Sequence, residues 1–103
     1  MNFGLNEITI NKINSVFENY PEIEEVIIYG SRAKGNFRNG SDIDLTLKGE
    51  NIEYQILSKI NQEIDDLNTP YLFDISIFEN LDSPEFINHI SRIGKVFYTN
   101  KIK

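Results

Sequence analysis

From Asp42 to Leu47 the side chains alternate without a break, with Ile43, Leu45 and Leu47 on one side and Asp42, Asp44 and Thr46 on the other. A period of two over six residues is the pattern of a strand with one buried face; a helix would scatter the same residues around its circumference. The pattern also fixes the register, because a slip of one residue would bury both aspartates and expose three aliphatic side chains. Any fold for this chain must therefore present Asp42 and Asp44 on the same side of a sheet. The run from Tyr71 to Phe78 repeats the pattern, with Phe73, Ile75 and Ile77 opposite Asp74 and Ser76, and Asp74 is its lone charge. Glu24 to Gly30, EEVIIYG, is short, rich in β-branched residues and closed by glycine, which predicts a buried strand. Val96 to Tyr98 suits a short edge strand.

Between the strands the period changes. Leu5, Ile8, Val16 and Tyr20, with Ile13 and Phe17 nearby, predict an amphipathic helix that ends before Pro21. After Gly49, residues Ile52, Ile56, Ile60 and Ile64, flanked by Leu57 and Leu67, predict a second helix ending near Asn68 and Pro70. Ser83 followed by Pro84 and Glu85 starts a third, with Phe86, Ile87 and Ile90 facing inward and Gly94 as its stop. Ser31 to Ser41, SRAKGNFRNGS, has loop chemistry with room for one helical turn. No repeat, low-complexity tract or linker interrupts this order, so a single α/β domain over residues 1–103 is expected.

Composition narrows the function classes. With 40% apolar and 12% aromatic residues the chain can fill one core, and 103 residues leave no room for a second domain to hold a large acceptor. A formal charge of −6 argues against direct nucleic-acid binding, which rests on neutralised phosphates. The absence of cysteine excludes disulfides and thiolate metal sites and fits a reducing compartment. No segment is long and apolar enough for a signal peptide or a membrane span, so a cytoplasmic protein with no membrane contact is expected.

If the two acidic strands are neighbours, Asp42, Asp44 and Asp74 converge on one patch. Like charges that close repel unless a cation lies between them, and an all-oxygen donor set suits Mg²⁺ or Mn²⁺. One loop upstream, Gly30 and Gly35 permit close backbone approach, Ser31 offers a hydroxyl, and Arg32, Lys34 and Arg38 supply positive charge. These are the parts of a phosphate cradle. A bound triphosphate would meet metals held by Asp42 and Asp44, leaving Asp74 to position or deprotonate an attacking hydroxyl. Each part alone has a plain structural reading, since Asp-x-Asp is common in turns and a glycine-rich loop is usually only a loop. Their conjunction at fixed spacing is what points to chemistry. His89 borders an apolar stripe with nothing nearby to complete a histidine metal site. Asp65 and Asp66, like Glu22, Glu24 and Glu25, read as solvated faces, and Tyr54, Tyr71 and Tyr98 as core or interface.

The stretch Gly30 to Leu45, GSRAKGNFRNGSDIDL, resembles the signature of the DNA polymerase beta-like nucleotidyltransferase superfamily: Gly-Ser, ten residues, then Asp-x-Asp. Asp74 in LFDISIF fits the third carboxylate of that pattern, and Ala33, Gly35, Arg38 and Ser41 fall where the small, minimal members carry such residues. The resemblance spans almost the whole chain and implies a small mixed sheet flanked by helices. It is closest in extent to the MNT-type antitoxins, which pair with HEPN-domain toxins. The resemblance implies an enzyme that uses Mg²⁺, two ions being usual, and ATP to transfer AMP to a tyrosine of a HEPN-type ribonuclease within a hetero-oligomer. Asp42, Asp44 and Asp74 would then hold the metals, Asp74 doubling as base. Gly30 and Ser31 would bind the phosphates, and Arg32, Lys34 and Arg38 would stabilise the leaving pyrophosphate. Two other readings stay open: inhibition of the partner by binding alone, and nucleotidyl transfer to a small-molecule acceptor.

Overall fold

A computed structural model describes residues 2–100. The element order is α1 (Glu7–Phe17), β1 (Glu25–Tyr29), α2 (Ser31–Lys34), β2 (Ile43–Lys48), α3 (Tyr54–Asp65), β3 (Phe73–Ile77), a 3-10 turn (Phe78–Asn80), α4 (Pro84–Ile93) and β4 (Lys95–Thr99). The four strands form one mixed sheet in the order β3-β2-β1-β4. β1 runs antiparallel to both β2 and β4, and β2 runs parallel to β3. The parallel pair needs a crossover, which α3 supplies. β4 lies at the sheet edge, as its short apolar run suggests.

The strand parity read from the sequence decides how the layers pack. Ile43, Leu45 and Leu47 are fully buried and share one core with Val26, Ile28 and Ile77 and with Ile13, Phe17, Ile60 and Ile64 from α1 and α3. The opposite face carries a smaller cluster in which Ile27 and Tyr29 meet Ile90, Phe86, Phe78 and Leu81. Two helices thus cover one face and α4 part of the other, leaving uncovered sheet where the aspartates stand.

The helix predicted from Leu5 begins later. Asn6 caps it by accepting from the Thr9 N–H at 2.8 Å, so Leu5 lies ahead of the helix, paired with Asn2 across a tight turn. Ile8 is 68% exposed, and the buried stripe is Ile13, Val16 and Phe17. Residues spaced like a stripe were split between a turn and a helix because the asparagine cap takes precedence over the apolar period. Tyr20 likewise lies beyond the helix end, where its hydroxyl hydrogen-bonds Glu63 of α3. Ile52 precedes α3, and the helix closes at Asp65. For α4, Ser83 accepts from the Phe86 N–H at 3.3 Å and Pro84 opens the first turn, as expected.

Candidate active site

The site is built where β1 ends. Gly30 follows the strand with φ 75° and ψ −155°, a conformation that only glycine adopts at ease. A Cβ placed on Gly30 would collide with the Asp44 Oδ2 atom, so this glycine lets the chain turn directly against the carboxylate of the neighbouring strand. The Gly-Ser and the Asp-x-Asp, eleven positions apart in sequence from Ser31 to Asp42, are thereby brought into contact. Ser31 opens the single turn of α2, and Gly35 ends that turn in the left-handed region at φ 87°.

β-sheet register lines up the next row. Tyr29 pairs with Asp44 across the antiparallel β1–β2 ladder, and Asp44 pairs with Asp74 across the parallel β2–β3 ladder. Asp44 and Asp74 are therefore adjacent on the open face. Asp42 lies one residue ahead of β2 and is exposed. Burial pushes the Asp44 carboxyl above its ordinary range, the nearby charges of Asp74 and Asp42 push it further, and Arg32 partly offsets them. The three acids thus interact, with Asp44 and Asp74 aligned by register and Asp42 beside them; among the described residues no group of three His, Cys, Asp or Glu side chains is gathered closely enough to hold a metal ion by itself. The reason is positional, since Asp42 is outside the ladder that aligns the other two. The donor set that remains, two adjacent carboxylates with a third within electrostatic reach, still fits Mg²⁺, which keeps several waters and takes one or two carboxylates with substrate phosphates rather than an all-protein cage. The burial and the repulsion from Asp74 and Asp42 that raise Asp44 are what such a cation would relieve.

The three basic residues of the loop are not equivalent. Arg32 is 3% exposed; its Nε and Nη2 donate to the Ser41 carbonyl at 3.1 and 2.9 Å, and its Nη1 donates to the Phe3 carbonyl at 2.9 Å. The guanidinium also lies 5.1 Å from the Phe37 ring centre and 5.0 Å from that of Tyr71. Three of its five N–H donors tie the loop and the N-terminal turn together just before Asp42. Lys34 and Arg38 are exposed, and the Arg38 backbone N–H donates to the Ser41 hydroxyl at 2.9 Å, closing the turn that delivers Asp42.

Sequence reasoning missed a second polar row. Thr46, fully buried, accepts a hydrogen bond from the Ser76 hydroxyl at 2.9 Å, and Tyr29 stands on the neighbouring strand beside Asp44. Burial pushes the Tyr29 phenol up to about 12, the charge of Asp74 raises it as well, a hydrogen bond with Ser76 works the other way, and Asp44 raises it further. The parity of EEVIIYG puts Tyr29 and Ile27 on one face, a signal available in the sequence, but the antiparallel register that sets Tyr29 beside Asp44 is not. His89 lies 6.5 Å from the Tyr29 ring, edge-on, and Tyr71 under Arg32; both are packing residues here. A groove of about 730 Å³ along α1 and β4 and a cleft of about 440 Å³ between α3 and β3 are lined by none of Gly30, Ser31, Asp42, Asp44 or Asp74.

Several solved structures share the fold. A chain of a toxin–antitoxin complex with AMP-PNP superposes with a TM-score of 0.68 at 20% identity, covering 95% of this chain and 77% of that one. A chain of the MntA–HepT toxin–antitoxin superposes with a TM-score of 0.67 at 15% identity, covering 94% and 75%. A chain of a complex between the tri-AMPylated Shewanella oneidensis HEPN toxin and its MNT antitoxin gives 0.65 at 15% identity, covering 95% and 76%. The comparison with curated proteins gives no match. The family described as polymerase beta, nucleotidyltransferase matches residues 11–103, a span that holds every strand and each of the motifs described above. The chain belongs to the polymerase beta nucleotidyltransferase family.

Proposed function

We propose that this protein is a Mg²⁺-dependent adenylyltransferase that acts as the antitoxin of a HEPN-type toxin, moving AMP from ATP onto a tyrosine hydroxyl of that ribonuclease. The observation that carries the reading is the contact between Gly30 and Asp44, which places a backbone able to approach phosphates directly against a carboxylate that burial and neighbouring acids disfavour in its charged form. Family membership supports nucleotidyl transfer. The nucleotide analogue in one similar complex, and the AMPylated HEPN partner in another, support ATP and the acceptor class.

Asp42, Asp44 and Asp74 would hold the metal, Mg²⁺ or Mn²⁺, in two positions. Bound there, it would neutralise phosphate charge and lower the pKa of the attacking hydroxyl. Gly30 and Ser31 contact the phosphates, and the exposed Lys34 and Arg38 draw off charge from the departing pyrophosphate. Arg32 keeps the loop in shape with three of its five N–H donors, its buried position setting it apart from the exposed Lys34 and Arg38. Asp74, exposed at the edge strand, orients the acceptor tyrosine and receives its proton. The phenolic oxygen forms a bond to the α-phosphorus as the bond from that phosphorus to the bridging oxygen breaks, and pyrophosphate leaves. Among the described residues no helix is long and apolar enough to cross a membrane, and the cytoplasm, where ATP is abundant, is the compartment this chemistry suits.

The test is intact mass spectrometry of the protein encoded beside this chain, which is expected to be of HEPN type, after incubation with it, ATP and Mg²⁺. One or more added AMP units are expected, and Asp42→Asn and Asp44→Asn should abolish them. An unmodified yet silenced toxin would instead identify inhibition by binding alone, and equal modification by both variants would refute the catalytic assignment.

A further inference from the structure

Leu72 stands two residues ahead of Asp74 and is 72% exposed, although Tyr71 and Phe73 on either side of it pack against the main core. A single exposed leucine is ordinary on a protein surface, so its position has to carry the argument. Backbone pairing sets that position. The Leu72 carbonyl accepts from the Ile43 N–H at 2.9 Å, immediately ahead of the paired row of Ile43 and Phe73. The row after that is Asp44 with Asp74. By strand parity Leu72 shares the open face with Asp74, and its side chain adds an apolar surface next to the carboxylates. The sheet also orders the site from side to side: Gly30 and Ser31 follow β1, Asp44 lies on β2, and Asp74 lies on β3 with Leu72 just ahead of it. β3 is an edge strand, with no further strand outside it among the described residues. Transfer at phosphorus holds the attacking and leaving oxygens roughly in line, on opposite sides of the reacting atom. With pyrophosphate leaving toward Gly30 and Ser31, the attacking hydroxyl enters from the side of β3, where Leu72 stands.

We propose that Leu72 is a specificity-determining residue for the acceptor, giving the ring of the incoming tyrosine an apolar surface to lie on while its hydroxyl meets Asp74. A tyrosine side chain is an apolar ring with a polar tip. Leu72 and Asp74 present the matching pair of chemistries, an aliphatic side chain followed on the same face by a carboxylate, about 6.6 Å further along an extended chain. The exposed edge of β3 leaves room for a side chain carried on another protein. Leu72 also lines the cleft of about 440 Å³ between α3 and β3, together with Tyr71 and Phe73, so the residues flanking an acceptor tyrosine would meet a surface continuous with the site. The inference deepens the acceptor assignment made under the proposed function and rests on it.

The test is steady-state transfer from ATP with Mg²⁺ to the protein encoded beside this chain, by wild type, Leu72→Ala and Leu72→Met, together with AMP-PNP binding and thermal melts. Leu72→Ala should raise the KM for the acceptor protein about tenfold while kcat, the affinity for AMP-PNP and the melting temperature stay near those of wild type. Leu72→Met keeps the apolar area and should hold the acceptor KM within about twofold of wild type. An unchanged acceptor KM in Leu72→Ala, with wild type active, overturns this inference alone. A weakened affinity of Leu72→Ala for AMP-PNP also overturns it, since that result seats the nucleotide rather than the acceptor against Leu72. Should Leu72→Ala fail to fold, Leu72→Gln, which keeps the length and loses the apolar surface, decides by the same criterion. Failure of wild type to transfer AMP to the neighbouring protein overturns the proposed function, and this inference with it.

Discussion

Gly30 and Asp44 define the site as a contact between a residue without a side chain and a charged one. Replacing Gly30 by alanine puts a Cβ into the Asp44 carboxylate at a backbone angle that side chains resist. The expected cost is about 1–3 kcal/mol, read by urea denaturation, together with loss of nucleotidyl transfer. Asp44 itself opposes folding when no cation is present. Its folded-state pKa is raised, so the folded protein holds that proton more tightly than the unfolded chain does, and the stabilising contribution is complete only at acid pH. It is lost as pH climbs through the ordinary aspartate range, near about 3.9, toward the raised value. At pH near neutrality in EDTA, Asp44→Asn should therefore melt above wild type, with the gap closing in acid. Adding Mg²⁺ should raise the wild-type melting temperature and leave the variant where it was. A variant less stable than wild type in EDTA would contradict the repulsion argued here.

At the scale of elements, the loop between β1 and β2 owes its shape to one buried guanidinium. Arg32→Lys keeps the charge but cannot bridge Ser41 and Phe3 while stacking on Phe37 and Tyr71. A loss of about 2–4 kcal/mol is expected by urea denaturation, since the carbonyls it serves would be left without partners. Lys34→Ala, on the exposed side of the same turn, should leave stability within about 0.5 kcal/mol and raise the KM for ATP. The sequence shows Arg32, Lys34 and Arg38 as three similar cations, because whether a cation is spent or free depends on which carbonyls the fold brings to it. α1 carries the same lesson in reverse. Its apolar spacing is legible, but Asn6 takes the cap and leaves Leu5 outside the helix and Ile8 in solvent.

At the scale of the whole molecule, one tyrosine ties the chain beyond α1 to α3. The Tyr20 hydroxyl joins the chain beyond α1 to Glu63 of α3, and burial followed by the Glu63 hydrogen bond pushes its pKa up to about 12, the same level as Tyr29. Both groups are raised when folded, so their contribution is whole below the unfolded value near about 10 and drains away as pH rises toward 12. Stability from urea denaturation should be flat from pH 8 to 9.5 and fall between roughly 10 and 12, and Tyr20→Phe should make that fall shallower. What the sequence by itself determined is periodic: strand parity put Asp44 and Asp74 on faces opposite their aliphatic neighbours, Gly-Ser and Asp-x-Asp marked the phosphate and acid ends, and Ser83 with Pro84 marked the start of α4. These are local properties, carried by spacing and backbone preference. Only the tertiary structure decided that β2 lies between β1 and β3, that Tyr29 therefore stands beside Asp44, that Asp42 falls outside the aligned pair, and that Arg32 ties the loop to the N-terminal turn. Each of those depends on pairing between strands far apart in the chain, and a single sequence encodes the face of a strand more openly than the identity of its neighbour.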